Sequence, residues 1–69
     1  MGVLVKRSFT LAGHRTSVAL EKEFWEALEI IAGERRRPLG TVVAEVDAAR
    51  GPERPLASAL RIFALHTRS

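Results

Sequence analysis

Among the side chains of this 69-residue chain that could do chemistry are imidazoles, hydroxyls and guanidinium groups. The two imidazoles, His14 and His66, stand far apart without ligand spacing, and there is no cysteine. Neither a thiolate metal site nor a histidine pair is therefore written in the sequence. Ser8, Ser17 and Ser58 have no local arrangement with a histidine that suggests a triad. The chain also lacks a Gly-rich phosphate loop, an H-E-x-x-H motif and a nucleophile elbow. No catalytic residue, metal or cofactor is expected, and so small a chain has little room for a pocket of roughly 300–1,000 Å³. What remains is arginine, whose guanidinium presents a fixed fork of N–H donors to planar acceptors. Arg15, with Ser17 two residues on, is the arginine whose setting is most informative.

Arg15 and Ser17 lie in R-T-S-V-A-L, residues 15–20, where polarity alternates with a period of two. Arg15, Ser17 and Ala19 point one way and Thr16, Val18 and Leu20 the other, as in a half-buried strand over residues 14–20. A lone strand leaves backbone N–H and C=O groups unpaired, and the simplest repair is the same strand from a second subunit. Residues 5–11 alternate as well, with Val5, Arg7, Phe9 and Leu11 opposed to Lys6, Ser8 and Thr10. With Ala12-Gly13 as a two-residue turn, the two segments can form a hairpin; alternatively residues 5–11 are an extended arm. The hairpin is favoured, because Phe9 and Leu11 cost about 2 kcal/mol each in water. Residues 1–4 are expected to fray.

At Glu21 the period becomes helical. A first helix is expected over residues 21–35, with Phe24, Leu28 and Ile31 on its apolar stripe and Trp25, Ala27 and Ala32 widening it. Trp25 is expected as a core or dimer anchor. Pro38 suits the first position of a second helix over residues 39–50, whose apolar side is Leu39, Val42, Val43, Val46 and Ala49. Val42-Val43 is poor helix sequence by propensity, so burial must carry it. Gly51, Pro52 and Pro55 end that helix, and a third is expected over residues 56–67 with Leu56, Ala59, Leu60, Phe63 and Ala64 on one face. Residues 1–69 thus form one domain, mainly α with a short β ribbon. A chain this short buries only about 60% of its unfolded surface and commonly needs help. With disulfides and metal excluded, oligomerisation is the expected help. No apolar run is long enough to cross a membrane or serve as a signal segment, so a soluble, cytoplasmic protein is expected.

Charge is unevenly spread. Residues 1–20 carry Lys6, Arg7 and Arg15 and no acid; residues 21–34 carry five glutamates against Lys22; residues 35–69 carry seven arginines against Glu45, Asp47 and Glu53. Basic segments bracket an acidic helix, which suits a polyanionic partner or, more blandly, a solvated mixed surface. Two antiparallel copies of residues 15–19 would make a ribbon that fits the major groove of double-stranded DNA. Arg15, Ser17 and Ala19 would face base edges: a fork for guanine O6 and N7, a hydroxyl of low discrimination, and a methyl. Thr16, Val18 and Leu20 would join Trp25, Leu28, Val43 and Val46 in a dimer core. The N–H groups of Leu39, Gly40 and Thr41 at the second helix start would suit a phosphate, flanked by Arg35, Arg36 and Arg37. Equally, Arg15 and Ser17 would be the wet face of a dimer sheet.

The ordered set H-R-T-S-V-A-L-E, E-F-W-E-A-L-E-I-I-A, T-V-V-A-E-V-D-A-A-R-G and L-A-S-A-L-R-I-F resembles a ribbon-helix-helix domain of the MetJ/Arc superfamily. The V-K-R-S-x-T-x-A-G-H-R-T-S start is similar to that of a small bacterial group within it. The resemblance covers residues 5–65. It implies an intertwined homodimer, often further assembled on DNA, acting as a transcriptional repressor or an antitoxin. Its outward strand positions fall on Arg15, Ser17 and Ala19 and its phosphate-binding helix start on residues 38–41. Ala19 stands where a polar residue is common, and Pro38 where a Ser or Thr cap is usual; Pro38 has no N–H, so the phosphate contact shifts to residues 39–41. Two readings follow: a homodimeric DNA-binding regulator, or a dimer that docks a protein partner, antitoxin-like, through Phe9 or Phe63.

Overall fold

The computed structural model describes residues 3–68. Two strands, β1 (Leu4–Leu11) and β2 (His14–Glu21), are followed by three helices, α1 (Lys22–Glu34), α2 (Leu39–Ala49) and α3 (Leu56–Arg68). The strands pair antiparallel with each other, Leu11 opposite His14 and Leu4 opposite Glu21. β2 therefore finds its ladder partner within its own chain, and a second subunit is not required to pair it. The hairpin rather than the arm is formed. Of the end expected to fray, Leu4 already belongs to β1, while Met1 and Gly2 lie outside the described residues.

Ala12 and Gly13 link the strands with φ of 51° and 81°. Positive φ at both central residues is what a type I′ turn needs, and its twist matches that of the strands. Glycine takes this conformation without a Cβ penalty; Ala12 does not.

One face of the hairpin lies on the helices. Leu11, Val18 and Leu20 are buried there and Phe9 and Thr16 half-buried. Trp25, Leu28 and Ile31 meet the core from α1, Val42, Val43 and Val46 from α2, and Ala59, Leu60 and Ala64 from α3. Full burial of Val42 and Val43 offsets their weak helix propensity. Val18, Leu20, Trp25, Leu28, Val43 and Val46, expected as a dimer core, are buried by one chain alone, with β1 and α3 supplying the cover.

Trp25, at 1% exposure, rather than half-buried Phe24, is the centre of the α1 stripe. Its Nε1 donates to the Val5 carbonyl at 2.7 Å, tying the helix to β1. The Phe9 ring lies 5.8 Å from it, tilted by 34°. α1 ends in a Schellman motif: Arg36 N–H donates to Gly33 O at 3.1 Å and Arg37 N–H to Ala32 O at 3.0 Å. Arg36, with φ of 56°, occupies the left-handed position where glycine is usual. Pro38 is the residue before α2, with extended ψ of 147°, and not its first helical residue. At the other end of α2, Arg50 turns extended, so the helix stops there and Gly51 is not a left-handed cap.

Because Ala12 alone bears the turn's Cβ strain, Ala12→Asn should stabilise the chain. A gain of up to about 1 kcal/mol is expected, since asparagine tolerates the left-handed region. Thermal unfolding reads this as a higher midpoint; a lower one would mean that the turn conformation is wrong.

Candidate nucleic-acid interface

The register decides what the outer face of the hairpin carries. Opposite pairs on that face are Lys6 with Ala19, Ser8 with Ser17, and Thr10 with Arg15, and the same alternation puts Leu4 with Glu21 at its far end. Arg15 and Ser17 are exposed, as are Lys6, Ser8 and Thr10, and Ala19 is half-buried. The expected trio thus shares one face, and β1 adds a lysine and two hydroxyls that the alternation of residues 5–11 already implied. Knowing the turn is what places them beside Arg15 and Ser17. The Ser8 and Ser17 hydroxyls lie 3.2 Å apart, and Arg15 Nη1 donates to Thr10 Oγ1 at 3.4 Å. Between Lys6 and Arg15 the face bears two cations, three hydroxyls and a methyl, and no carboxylate.

Arg7 belongs to the other face. Its guanidinium sits 4.9 Å from the centre of the Trp25 ring and Nη1 donates to Glu29 at 2.9 Å. It packs the sheet onto α1 and is not available on the outer surface.

The second cluster, around the start of α2, is only partly as expected. The Pro38 carbonyl accepts from Thr41 N–H at 3.0 Å and Val42 N–H at 3.3 Å. Thr41 therefore has no free N–H for a phosphate, which leaves Leu39 and Gly40. Gly40 lies under β1, and a Cβ there would be 3.9 Å from the Phe9 ring, an ordinary contact. Arg37 is ion-paired with Glu45. Arg35 lies over the Phe63 ring at 5.2 Å. Arg36 is exposed, with no side-chain partner among the described residues.

At the far end of β2, Arg61 Nε donates to Glu21 Oε1 at 2.9 Å, joining α3 to the strand–helix junction. The hydrogen bond from Arg61, with a smaller contribution from Glu21's own backbone, holds the Glu21 carboxyl below its usual 4.5. Among the described residues no group of His, Cys, Asp and Glu could hold a metal, and no helix is long and apolar enough to cross a membrane.

The family model of the ribbon-helix-helix domain matches residues 4–67, which span the ribbon and the helices that follow it. The chain belongs to that family. Ribbon-helix-helix domains are typically non-enzymatic DNA-binding modules with regulatory or antitoxin-like roles. Neither the curated proteins nor the solved structures gave a significant match.

A carboxyl lowered by folding contributes stability above its unfolded pKa and loses it as pH falls through the lower, folded value. The Glu21–Arg61 contact is therefore present at neutral pH and is lost on acidification below 4.5. Arg61→Gln should return the Glu21 titration, followed by carboxyl ¹³C shifts, towards 4.5. An unchanged titration would show that Arg61 is not the cause.

Proposed function

We propose that this ribbon-helix-helix protein is a homodimeric regulator that binds double-stranded DNA through the outer face of its ribbon. The supporting observation is that face itself: Lys6 and Arg15 with Ser8, Thr10 and Ser17 and no acid among them. Hydroxyls are short enough for backbone and base to approach closely, and the two cations give a charge that attracts phosphates.

The pairing constrains how the ribbon docks. In a two-residue hairpin the closing pair is hydrogen-bonded, and bonded pairs then alternate along the strands. Phe9 with Thr16, Arg7 with Val18 and Val5 with Leu20 thus use their backbone groups within the hairpin. The N–H and C=O groups of Arg15, Ser17 and Ala19 then point to the open edge of β2. A trough lined by Pro55, Leu56 and Ala57 runs beside this edge. In the proposed dimer two β2 strands join antiparallel along these edges, giving a four-stranded sheet. Four strands at about 4.8 Å spacing span about 14 Å between the outer axes, against a groove about 12 Å wide. Only the central pair then reaches bases, so Arg15, Ser17 and Ala19 read sequence. Lys6 on the flanking strand lies over the phosphate walls.

Arg36, with the Leu39 and Gly40 N–H groups, is the remaining phosphate contact on this reading. A non-glycine residue in the left-handed region costs about 1 kcal/mol or more, and such strain is kept where function uses it. Arg35 and Arg37, held by Phe63 and Glu45, contribute less. Assembly of several dimers along DNA is compatible with this geometry. An antitoxin-like protein partner is the second reading, favoured by the exposed Ile62 and Leu65 on α3.

Fluorescence anisotropy of labelled duplexes across a salt series tests the proposal. Binding should weaken steeply with salt, as expected for several phosphate contacts. Arg15→Ala should cost about 1–3 kcal/mol per subunit and level the difference between duplexes, whereas Lys6→Ala should weaken all duplexes and reduce the salt slope by about one per subunit, about two for the dimer. Absence of binding at low salt would sink the DNA reading. Arg36→Gly should have opposite effects on two measurements: unfolding free energy higher by about 1 kcal/mol, and weaker DNA binding. A stabilised variant with unchanged affinity would remove Arg36 from the interface.

A further inference from the structure

We propose that the groove between α2 and α3 is a binding site for a small amphipathic anion, an aliphatic or aromatic carboxylate. The groove encloses about 280 Å³. Val46, Ala59, Ile62 and Phe63 give it an apolar lining, and Arg35, Arg50 and Arg54 stand at its rim. Its volume falls just below the usual range for small-molecule sites, which limits the ligand to a short chain or a single ring.

The charges at the rim select the head group. Arg50 is held by Asp47 at 2.8 Å and donates to the Arg54 carbonyl at 2.7 Å. Glu45, the carboxylate at the rim, is ion-paired with Arg37. Arg35 and Arg54 are then left without a carboxylate partner among the described residues. Arg54 donates to the Ser58 hydroxyl at 3.2 Å, and Arg35 lies over Phe63. Both forks are positioned by neutral partners, which leaves their charge uncompensated at the mouth of an apolar groove. A carboxylate meets this need with charge-assisted hydrogen bonds while its hydrocarbon body covers the lining. A second copy of the chain fits less well: a two-fold contact through this groove would set one rim of arginines against the other. The site lies away from the ribbon's outer face and uses none of the residues proposed to contact bases.

The test is an NMR titration of the ¹⁵N-labelled full chain with 4-phenylbutyrate and with its neutral counterpart, 4-phenylbutanamide. The carboxylate should give saturable shifts confined to amides of Val46, Ala59, Ile62, Phe63 and their neighbours. The amide should bind about tenfold more weakly or worse. Arg54→Gln should weaken the carboxylate about fivefold while leaving the amide unaffected, a difference that general loss of structure would not produce. Ala49→Leu, which fills the groove from an exposed position, should abolish both shifts with the spectrum otherwise preserved. Equal binding of the two compounds would overturn the proposal, as would shifts scattered over other surfaces or no saturation by about 10 mM. Movement of the same amides on dilution alone would also overturn it, by showing that a second copy occupies the groove. Each readout is made on free protein, so the proposal stands or falls separately from DNA binding.

Discussion

The register of one hairpin governs nearly everything else in this chain. With Ala12 and Gly13 both in the left-handed region, Leu11 must face His14, and each later pair follows. A slip of one residue would exchange the faces of a strand, bringing Arg15, Ser17 and Ala19 onto the helices and Val18 and Leu20 into water. Trp25 reinforces the register from below. Its Nε1 reaches the Val5 carbonyl while its ring meets Phe9 and Arg7, three points along β1 that share one face. Sheet, helix and outer surface are thus set by a turn of two residues and a single indole.

Much of this was legible in residue order because the information is local. The period of two in residues 5–11 and 14–20, and its change at Glu21, mark the strands and the first helix. Alternation also puts Lys6, Ser8 and Thr10 on one side, and only the turn shows that this is the side of Arg15. What residue order does not carry involves distance or conformation. Glu21 and Arg61 meet across 40 residues, and no spacing announces that contact. Phe24 and Trp25 are adjacent, and periodicity cannot decide which is central; the choice follows from where Val5 lies. Pro38 was expected inside α2 because proline is tolerated at a first helical position, yet it serves as the extended residue before it.

The arginines of residues 35–37 show why a run of like charge is weak guidance. In sequence they form one basic cluster. In the fold a Schellman turn sends them in different directions, Arg35 towards Phe63, Arg37 towards Glu45, and Arg36 into solvent. Their contacts reduce the field that the cluster would otherwise present, so phosphate attraction in the proposed complex depends more on Lys6, Arg15 and Arg36 than on the total charge of +3.

Smallness alone does not compel this chain to seek a partner. α3 buries Ala59, Leu60 and Ala64 against the sheet and the other helices, and β1 occupies one side of β2. One chain therefore has a core of its own. The motive for the proposed dimer is the open edge of β2, whose backbone groups water can satisfy in the free chain. Little apolar area is at stake along such an edge, so the free energy of joining two edges is modest and association depends on concentration. In the proposed complex DNA changes this balance. Two hairpins that bind one groove side by side raise each other's effective concentration, and edge pairing fixes the spacing at which both can bind. Dimerisation and DNA binding then become linked equilibria, with each stabilising the other by the same free energy.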